Sequence, residues 1–389
     1  MTYDVLIIGG GVAGCSAAIQ LAERGRRVLV LEKQRYPAHK LCGEFLSVEV
    51  QAMFERLGVG EAVWKAGARP IDRTSVTTTD GAVFESALPG TALGLSRYAL
   101  DRLLFEQARS VGAEAQDGVA VRAVEGSLDE GFSVATTEGS FAARLVLGAY
   151  GKRGLLDRKL ERSFLQARSP FVAFKAHYEG VELPGVIELH AFPGGYCGLS
   201  HVEQGRINAC WIGHEQTLKA AGGTPQAMIE HSLMQNPTLA RRFRAMERVT
   251  DKFIAVSQIT FVPKGALAGD VCMIGDTAGM IAPMCGDGMA MALRSAELEA
   301  PLALAFLEGR MTAARFRKDY ARAWRREFGL RMRLGRWMHH AYCRPAVSRL
   351  SVGAVRRLPG LGRWLIRKTR STTEIDGGWS APPTMSESL

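Results

Sequence analysis

The chain has 389 residues, of which 47% are hydrophobic and 23% charged, a composition that suits a globular protein of roughly two to three domains and argues against disorder. Its seven cysteines, an odd number with no Cys-x-x-Cys pair, argue against a disulfide framework and a zinc site and favour a reducing, cytoplasmic compartment. The net charge is +10. No stretch reaches the roughly 18 uninterrupted apolar residues of a membrane span, so any predicted contact with a bilayer is peripheral, at the inner membrane face.

The first predicted unit runs strand, glycine loop, helix, strand. An apolar strand at residues 4–8 leads into the loop 9–14 (GGGVAG), and a helix-compatible run at 15–24 leads to a second buried strand at 27–31. One loop glycine makes the tight turn, another lets the backbone approach a pyrophosphate, and the last allows close packing of helix on strand. The unit predicts a dinucleotide site, with cofactor contacts from Gly9, Gly11, Ala13, Gly14, the ribose-binding Glu32, Lys33 and Lys40.

Residues 40–47 (KLCGEFLS) follow a Tyr-Pro turn and contain two candidate catalytic side chains, Cys42 and Glu44. A thiol beside a redox cofactor can tune its potential or donate a proton, and a buried carboxyl with a raised pKa can act as a general acid or base. The alternative interpretation is a helix start, in which Glu44 binds free amides and Cys42 packs.

A second glycine motif spans residues 269–289 and precedes a helix-compatible run at 290–307. The acid that ends its strand can hydrogen-bond a ribityl chain, and its last glycines open a helix whose amides can face the pyrimidine edge of a flavin. The alternative is a strand–helix turn that needs glycine only for packing. The predicted cofactor contacts here are Gly275, Asp276, Gly286, Asp287, Gly288 and Met289.

These motifs resemble those of a known group of flavoproteins. The 269–289 segment resembles the "GD…G…P…G-x-G" motif of FAD-dependent aromatic hydroxylases, geranylgeranyl reductases and flavin-dependent halogenases, and residues 95–121 resemble their "R-x-x-L-D-x-x-L…G-A…V" segment. The resemblance implies a p-hydroxybenzoate hydroxylase-like fold and FAD as cofactor. It also implies that Arg97 contacts FAD and that the Val121 backbone contacts adenine. Residues 40–47 resemble the "G-E-S-L" segment of the halogenases and the "C-G-G" segment of the reductases, which implies that Cys42 and Glu44 lie beside the isoalloxazine.

The chain departs from these families at two places. The hydroxylases carry an Asp-Gly pair where this chain has Tyr150 and Gly151, so NAD(P)H as electron donor is uncertain. The W-x-W-x-I-P motif of the halogenases is absent from residues 191–200 (AFPGGYCGLS), and its absence argues against halogenation as the reaction. Phe192-Pro193 with Tyr196 is a partial match to the aromatic F-P segment of the reductases, and a hairpin of apolar packing residues is the alternative.

Residues 166–258 read as short alternating strands and predict an antiparallel sheet, which residues 71–94 join. This sheet is expected to roof the flavin, with Phe174, Tyr196 and Trp211 in the substrate pocket. The predicted fold is α/β, with a Rossmann-like FAD-binding domain (1–70, 95–165 and 259–309), an inserted antiparallel substrate domain (71–94 and 166–258), a basic C-terminal helical arm (310–370) and a disordered tail (371–389).

The arm carries 18 Lys/Arg against two acids, interleaved with Trp324, Trp337 and Trp364 and broken by Pro345 and Pro359. Arginine and tryptophan on amphipathic helices predict an anionic membrane surface or an acidic carrier protein as partner. The alternative is a helical arm folded over the FAD-binding domain with a solvated basic face. No recognition motif accompanies the charge, so no nucleic-acid partner is expected.

The sequence therefore predicts an FAD-dependent oxidoreductase, a monooxygenase or dehydrogenase that acts on a hydrophobic lipid-, polyketide- or carrier-linked substrate. One alternative is a flavin-dependent reductase that saturates isoprenoid or polyene double bonds, and another is a non-catalytic flavin- or lipid-binding protein. The scattered histidines lack metal-ligand spacing, so no catalytic metal is expected, and no Gly-x-Ser-x-Gly elbow supports a hydrolase.

Overall fold

The computed structural model describes residues 2–357 and residue 360; the predicted tail, Pro359 and the arm beyond residue 360 with Trp364 lie outside them. The strands are β1 (Thr2–Ile8), β2 (Val28–Glu32), β3 (Phe45–Leu46), β4 (Arg69–Thr77), β5 (Val83–Gly94), β6 (Glu114–Asp117), β7 (Val121–Ser127), β8 (Gly131–Thr136), β9 (Ser140–Gly148), β10 (Phe171–Glu179), β11 (Val186–Phe192), β12 (Gly195–His201), β13 (Ile207–His214), β14 (Glu247–Arg248), β15 (Ile254–Val256), β16 (Leu267–Ala268) and β17 (Val271–Met273). The α-helices are α1 (Val12–Ala22), α2 (Val50–Arg56), α3 (Gly60–Lys65), α4 (Arg97–Ser110), α5 (Leu156–Lys159), α6 (Glu215–Ala220), α7 (Pro225–His231), α8 (Pro237–Ala245), α9 (Gly288–Leu307), α10 (Ala313–Tyr342) and α11 (Pro345–Arg357).

The first sheet has the strand order β16-β17-β9-β1-β2-β6, with the β7–β8 hairpin attached to β9. Strands β1, β2, β6, β9 and β17 pair in parallel. Strand β2, which lies between β1 and β6, is buried along its whole length, as the apolar run at residues 28–31 predicts for a parallel strand covered on both faces. The carboxyl ends of β1 and β2 meet at one edge, which is where the glycine loop lies.

The second sheet has the order β14-β10-β13-β12-β11-β4-β5-β3, with β15 paired to β10. The two sequence-separated segments predicted to share a sheet, 71–94 and 166–258, supply most of its strands. The sheet is mixed rather than wholly antiparallel, because β4 and β11 pair in parallel. No hairpin joins these two strands, so the intervening chain leaves their relative direction free.

Side chains on the second sheet sort into two faces. On β10, Phe174 and Tyr178 join an apolar core with α7 and α8, whereas Lys175 and His177 point to the segment around residue 44. Successive side chains of a strand alternate between faces, so one face carries the helices and the other turns to the first domain. The second face is the one that positions the site.

The C-terminal arm is built into the fold. Helix α10 places Phe316, Tyr320, Trp324 and Phe328, spaced four residues apart, in the core of the first domain, and the Tyr320 hydroxyl donates to the Met273 carbonyl at 2.5 Å. This regular spacing gives the helix one apolar stripe. The first part of α10 is thus folded over the first domain, whereas Tyr342 and α11 pack on the second sheet, where the Tyr342 hydroxyl donates to the Thr77 carbonyl at 3.2 Å. Among residues 2–357, no helix has both the length and the apolar content needed to cross a bilayer.

Candidate functional site

The loop between β1 and α1 has no room for side chains. Gly9 has a φ of +110° and its amide donates to the Leu31 carbonyl at 2.8 Å, which turns the chain from strand to helix. A Cβ on Gly14 would overlap the Gly9 carbonyl oxygen, so this glycine lets α1 pack on the loop. A Cβ on Gly11 would lie 3.2 Å from the Arg97 guanidinium. Gly9 and Gly14 therefore serve the tight turn and the close packing that the sequence predicts, and the approach of a pyrophosphate at Gly11 stays a prediction.

A cluster of charges surrounds this loop. Arg97, at the start of α4, forms a bidentate ion pair with Asp101 at 2.5 and 2.7 Å, and Lys40 bridges Asp101 at 3.1 Å and Glu32 at 3.2 Å. Burial opposes ionisation of Asp101, but Arg97 and Lys40 lower its pKa overall. Glu32 also accepts the Gly10 amide at 3.0 Å. The cluster holds two cations and the N-terminus of α1 together, as binding a pyrophosphate requires.

The second glycine turn faces the first across the same space. Gly275 has a φ of +58°, and a Cβ there would approach the Ala13 Cβ at 2.9 Å. Gly286 has a φ of +72° and would place a Cβ 2.9 Å from the Phe45 ring. Both positions therefore need glycine. Asp276 lies between them in sequence, with the Lys152 ammonium 3.7 Å from its carboxylate.

These two loops open into one cavity of ≈ 1090 Å³, slightly above the range of about 300–1,000 Å³ usual for small-molecule sites. Most predicted cofactor contacts line it: Gly9, Gly11, Ala13, Glu32, Lys33, Lys40, Arg97, Val121, Asp276, Gly286, Gly288 and Met289. Gly14, Gly275 and Asp287 lie behind its wall. For the two glycines this placement means packing roles, and Asp287 is fully buried at the start of α9, 3.9 Å from Arg331.

The segment around Glu44 is fixed by the second sheet. The Glu44 carboxylate accepts from the Lys175 ammonium and from the Arg97 amide at 2.7 Å, and it lies 2.6 Å from His177 Nε2. Glu44 is fully buried and has a φ of +54°, a strained backbone for a residue with a Cβ. Its contacts hold it in that conformation.

The electrostatics of Glu44 correct the expectation of a raised pKa. Burial alone would raise the pKa of this carboxyl, but Lys175 and His177 lower it to about 2. Glu44 is therefore an anion at neutral pH, so the condition for general acid–base work is not met. The geometry instead makes it a positioning residue for its neighbour Cys42, whose Sγ accepts the Glu44 amide at 3.3 Å and which lines the cavity.

The cavity is apolar where it leaves the glycine loops. It is walled there by side chains of the second sheet and the loops beside it, including Val76, Phe84, Ile187, Leu189, Ile212, Ile254, Val256, Ile259, Met280 and Ile281. Helix α10 closes the far side with Met338 and Tyr342, and α11 closes it with Val347 and Val352. A long apolar molecule could be enclosed here beside the cofactor loops.

The three predicted pocket residues take different places. Tyr196 lines the cavity, and its hydroxyl lies 3.2 Å from His339 Nδ1 and accepts the Met284 amide at 3.2 Å. Trp211 borders the cavity, but its ring packs in the helix-covered core 5.6 Å from Phe174. The prediction that Phe174 lines the pocket is wrong, because β10 turns its odd-numbered side chains toward the site.

Several site residues were not predicted. Lys175 and His177 anchor Glu44, and α10 supplies the wall residues Met338 and Tyr342 together with the buried His339. Burial lowers the pKa of His339 to about 3, so its ring is neutral beside Tyr196. The four-residue spacing of aromatic residues in α10 was the available signal that the arm packs inward. The partners of Lys175 carry no signal in sequence, because Glu44 is 131 residues away.

Tyr150, which replaces the family aspartate, also lines the cavity. Its hydroxyl donates to the Asp157 carboxylate at 2.9 Å, and Asp157 in turn accepts from Arg162 at 3.0 Å. Arg162 also donates to the Thr277 carbonyl at 2.8 Å, next to Asp276. Tyr150 therefore belongs to a network that supports the second glycine turn. Within the described residues, no group of three or more His, Cys, Asp or Glu side chains could hold a metal ion.

The residues at the cavity fit FAD. Two glycine turns tolerate no side chain, a carboxylate and two cations converge at one end, and the helices α1 and α9 both begin at the wall. Amides at the start of a helix stabilise negative charge, on a pyrophosphate as on a reduced flavin. Glu32, Lys40 and Arg97 would hold the adenosine and pyrophosphate side, and Asp276 with the α9 start would hold the ribityl and flavin side.

Comparison with known proteins agrees with this fit. A family model described as "FAD binding domain" matches residues 2–318. The digeranylgeranylglycerophospholipid reductase 2 of Methanopyrus kandleri is 27% identical over 353 residues, covering 85% of this chain and 84% of the reductase. The menaquinone reductase of Mycobacterium tuberculosis H37Rv is 27% identical over 323 residues, covering 77% of this chain and 76% of that protein. The solved structure of the myxobacterial chondrochloren halogenase CndH, a FAD-dependent halogenase, superposes with a TM-score of 0.76 at 20% identity, over 94% of this chain and 92% of the halogenase.

Proposed function

The chain belongs to the FAD-binding domain family, and on that premise we propose that it is a reductase that saturates carbon–carbon double bonds of a long isoprenoid or polyene chain. It is an FAD-dependent oxidoreductase, and its relatives include reductases and halogenases. The proposal concerns the reaction and the substrate. Reduction is also the reaction named for the similar proteins of Methanopyrus kandleri and Mycobacterium tuberculosis.

The observation that carries the proposal is the apolar extension of the cavity. The cofactor loops occupy one end, and the other end is enclosed by aliphatic side chains of the second sheet and by α10 and α11. Burying an apolar chain there contributes about 25 cal/mol for each Å² removed from water. An isoprenoid chain is apolar along its whole length, so it lacks polar groups that the walls would leave unpaired.

Cys42 is the proton donor in this proposal. When bound and reduced, FAD supplies a hydride to one carbon of the double bond, and the other carbon must receive a proton. Cys42 lines the cavity, in the segment that joins Lys40 of the charge cluster to β3. Glu44 holds this thiol in place through its amide and its contacts to Lys175 and His177. The double bond would gain the hydride and the thiol proton while the flavin would be oxidised, and the Cys42 thiolate would take up a proton from solvent.

Oxygenation or dehydrogenation of a lipid-, polyketide- or carrier-linked substrate is the second candidate. Phe192 of the reductase-like Phe-Pro segment is 1% exposed and packs in the helix-covered core, so this segment does not itself favour reduction. The same apolar cavity would hold either kind of substrate. A non-catalytic flavin- or lipid-binding protein is the third candidate, and it would yield no product at all.

The compartment and the electron donor complete the proposal. All seven cysteines are free thiols, which supports a reducing, cytoplasmic setting. The donor is open to direct test, since Tyr150 occupies the place of the family aspartate: bleaching of the flavin absorbance by NADH or NADPH would identify either nucleotide as donor. Dithionite serves as the donor in the reaction test.

The reaction is tested by anaerobic reoxidation. The purified protein is reduced with dithionite, freed of excess reductant, and mixed with a geranylgeranyl lipid in detergent. We expect the absorbance of oxidised flavin to return. A fully saturated lipid of the same length is the control and should leave the flavin reduced. Return of the absorbance only after oxygen is admitted would contradict the proposal.

A further inference from the structure

The wall of the cavity formed by α10 and α11 is also an outer surface. Trp337 and Val347 line the cavity, and yet they are 66% and 36% exposed to solvent. They therefore stand at an opening. Of the nine large apolar side chains exposed among the described residues, four lie on these two helices, the other two being Leu330 at 66% and Leu350 at 74%. This concentration at a cavity opening is unusual for a surface that faces only water.

Basic side chains accompany the apolar ones along α10. Arg326, Leu330, Arg333 and Trp337 are all exposed, and their spacing keeps them on one side of the helix. Arg344, just after the end of α10, is exposed as well. Helices α10 and α11 and the turn between them contain 13 Lys/Arg and two acids. This outer side of α10 is separate from the aromatic stripe that packs into the first domain.

The inward basic residues of α10 are neutralised within the fold. Arg317 forms an ion pair with Asp270 at 2.6 Å, and Arg331 lies 3.8 Å from Glu49. These pairs attach the helix to the first domain. The exposed arginines are thus left on the outer surface, together with the exposed apolar residues, where a negatively charged partner would meet them.

We propose that this surface docks on an anionic lipid bilayer and that the substrate chain passes from the bilayer into the cavity through the opening. We call the surface the rim, and it consists of Arg326, Leu330, Arg333, Trp337, Arg344, Val347 and Leu350. Tryptophan and leucine insert at the acyl boundary while arginine binds anionic headgroups. The passage of substrate rests on the proposed function; the docking itself does not.

An acidic carrier protein fits the rim less well. The rim is continuous with the apolar cavity wall through Trp337 and Val347, so an apolar chain that leaves a bilayer here need not cross water. A carrier-bound substrate would need only charge complementarity around the opening. Leu330 and Leu350 are exposed beyond that opening and do not line the cavity, which a bilayer explains because it covers a broad apolar area.

The experiment is sedimentation of the purified holoprotein with vesicles of phosphatidylcholine alone or with phosphatidylglycerol added, neither containing isoprenoid substrate. We expect binding to the anionic vesicles, weakened by salt. Arg333→Glu with Arg344→Glu should weaken it at least about 30-fold, since each basic residue near an anionic surface contributes about 5-fold. The matched control reverses two exposed basic residues elsewhere, Arg24→Glu with Lys252→Glu, and should bind as the parent does.

The apolar part of the rim is tested separately. Leu330→Ser with Leu350→Ser should weaken vesicle binding about 10-fold while the flavin absorbance shows that the fold is kept. Brominated lipid should quench the tryptophan emission of the Trp64→Phe variant as strongly as that of the parent. In the Trp337→Phe variant, most of this quenching should be lost. Trp64 is the matched control because it is also exposed, at 44%.

Three outcomes would overturn the docking: no sedimentation with anionic vesicles, equal loss in the Arg24/Lys252 control, or quenching unchanged in Trp337→Phe. Binding to an acidic protein in place of vesicles would assign the rim to a carrier and likewise overturn it. If docking fails while reduction of a detergent-dispersed substrate proceeds, the proposed reaction stands without the rim. Docking without any turnover would count against the proposed reaction alone.

Discussion

Removing the charge of Glu44 should destabilise the protein strongly, although the side chain is far from any surface. In Glu44→Gln, the buried ammonium of Lys175, 1% exposed, loses its counter-ion. Breaking a buried ion pair on one side costs about 3–5 kcal/mol. The pKa of Glu44 gives a similar figure, because a fall from its usual 4.5 to about 2 corresponds to about 3 kcal/mol.

Because the folded-state pKa of Glu44 is lowered, its stabilising contribution is present above pH 4.5 and is lost as the pH falls toward 2. The variant should therefore be less stable than the parent at pH 7, and the difference should shrink below pH 4.5. With an unfolding entropy of about 0.8 kcal/mol/K for 389 residues, a loss of about 3 kcal/mol lowers Tm by about 4 °C.

Differential scanning calorimetry across this pH range measures the effect. Glu61→Gln is the matched control, since Glu61 pairs with Lys65 at the surface with 81% of its side chain exposed, and its Tm should stay at the parent value. The double variant Glu44→Gln, Lys175→Met should recover part of the loss by removing the unpaired ammonium. A Glu44→Gln variant with the parent's Tm at pH 7 would refute the electrostatic account of this segment.

Three further predictions follow from the packing and the site. Gly14→Ala should purify without FAD or fail to fold, because its Cβ overlaps the Gly9 carbonyl, whereas Gly353→Ala, with no atom within 4 Å of the added Cβ, should keep the parent's flavin content. Burial raises the pKa of Glu299 to about 8, so this carboxyl costs stability as the pH rises from 4.5 to 8. Glu299→Gln should therefore raise the free energy of unfolding at pH 7 by about 3 kcal/mol and leave it nearly unchanged at pH 4.5. Equal gains at both pH values would contradict this interpretation. Cys42→Ala should slow single-turnover reduction by about 10²-fold or more with flavin content unchanged, while Cys343→Ala should react at the parent's rate.

The cofactor half of the site was readable in the sequence because its determinants are local. Glycines that must bring a strand, a helix and a ligand close together leave a fixed spacing, and Gly9, Gly11 and Gly14 keep it. Glu32 follows from the length of the helix between the two strands. The resemblance added Arg97 and Val121, which lie at the same cavity.

The substrate half was less readable because both faces of the second sheet are buried. Alternation along β10 shows that Phe174 and Lys175 point in opposite directions, but it does not say which face holds the site. A lysine costs more to bury than an apolar side chain, so the sequence alone favours Phe174 over Lys175 for an enclosed pocket. The ion pair with Glu44, distant in sequence, reverses this expectation.

The arm shows the same limit in another form. Its charge predicts a surface partner, which stays a prediction. The alternative of an arm folded over the first domain describes the first part of α10, whereas Tyr342 and α11 pack on the second sheet. Helix α10 does both kinds of packing at once: Tyr320 and Phe328 enter the core, while Leu330 and Trp337 remain exposed. The sequence alone does not show which side of α10 is buried, because it does not show which part of the fold the aromatic stripe packs against.

The mass of the product tests the central claim most directly. The reduced holoprotein is given a geranylgeranyl lipid under nitrogen, and in a parallel reaction under ¹⁸O₂, and the lipid is recovered for mass spectrometry. The account predicts a gain of two hydrogens for each double bond that reacts and no ¹⁸O in either product. A lipid that carries ¹⁸O, or one recovered unchanged from both reactions, would contradict it.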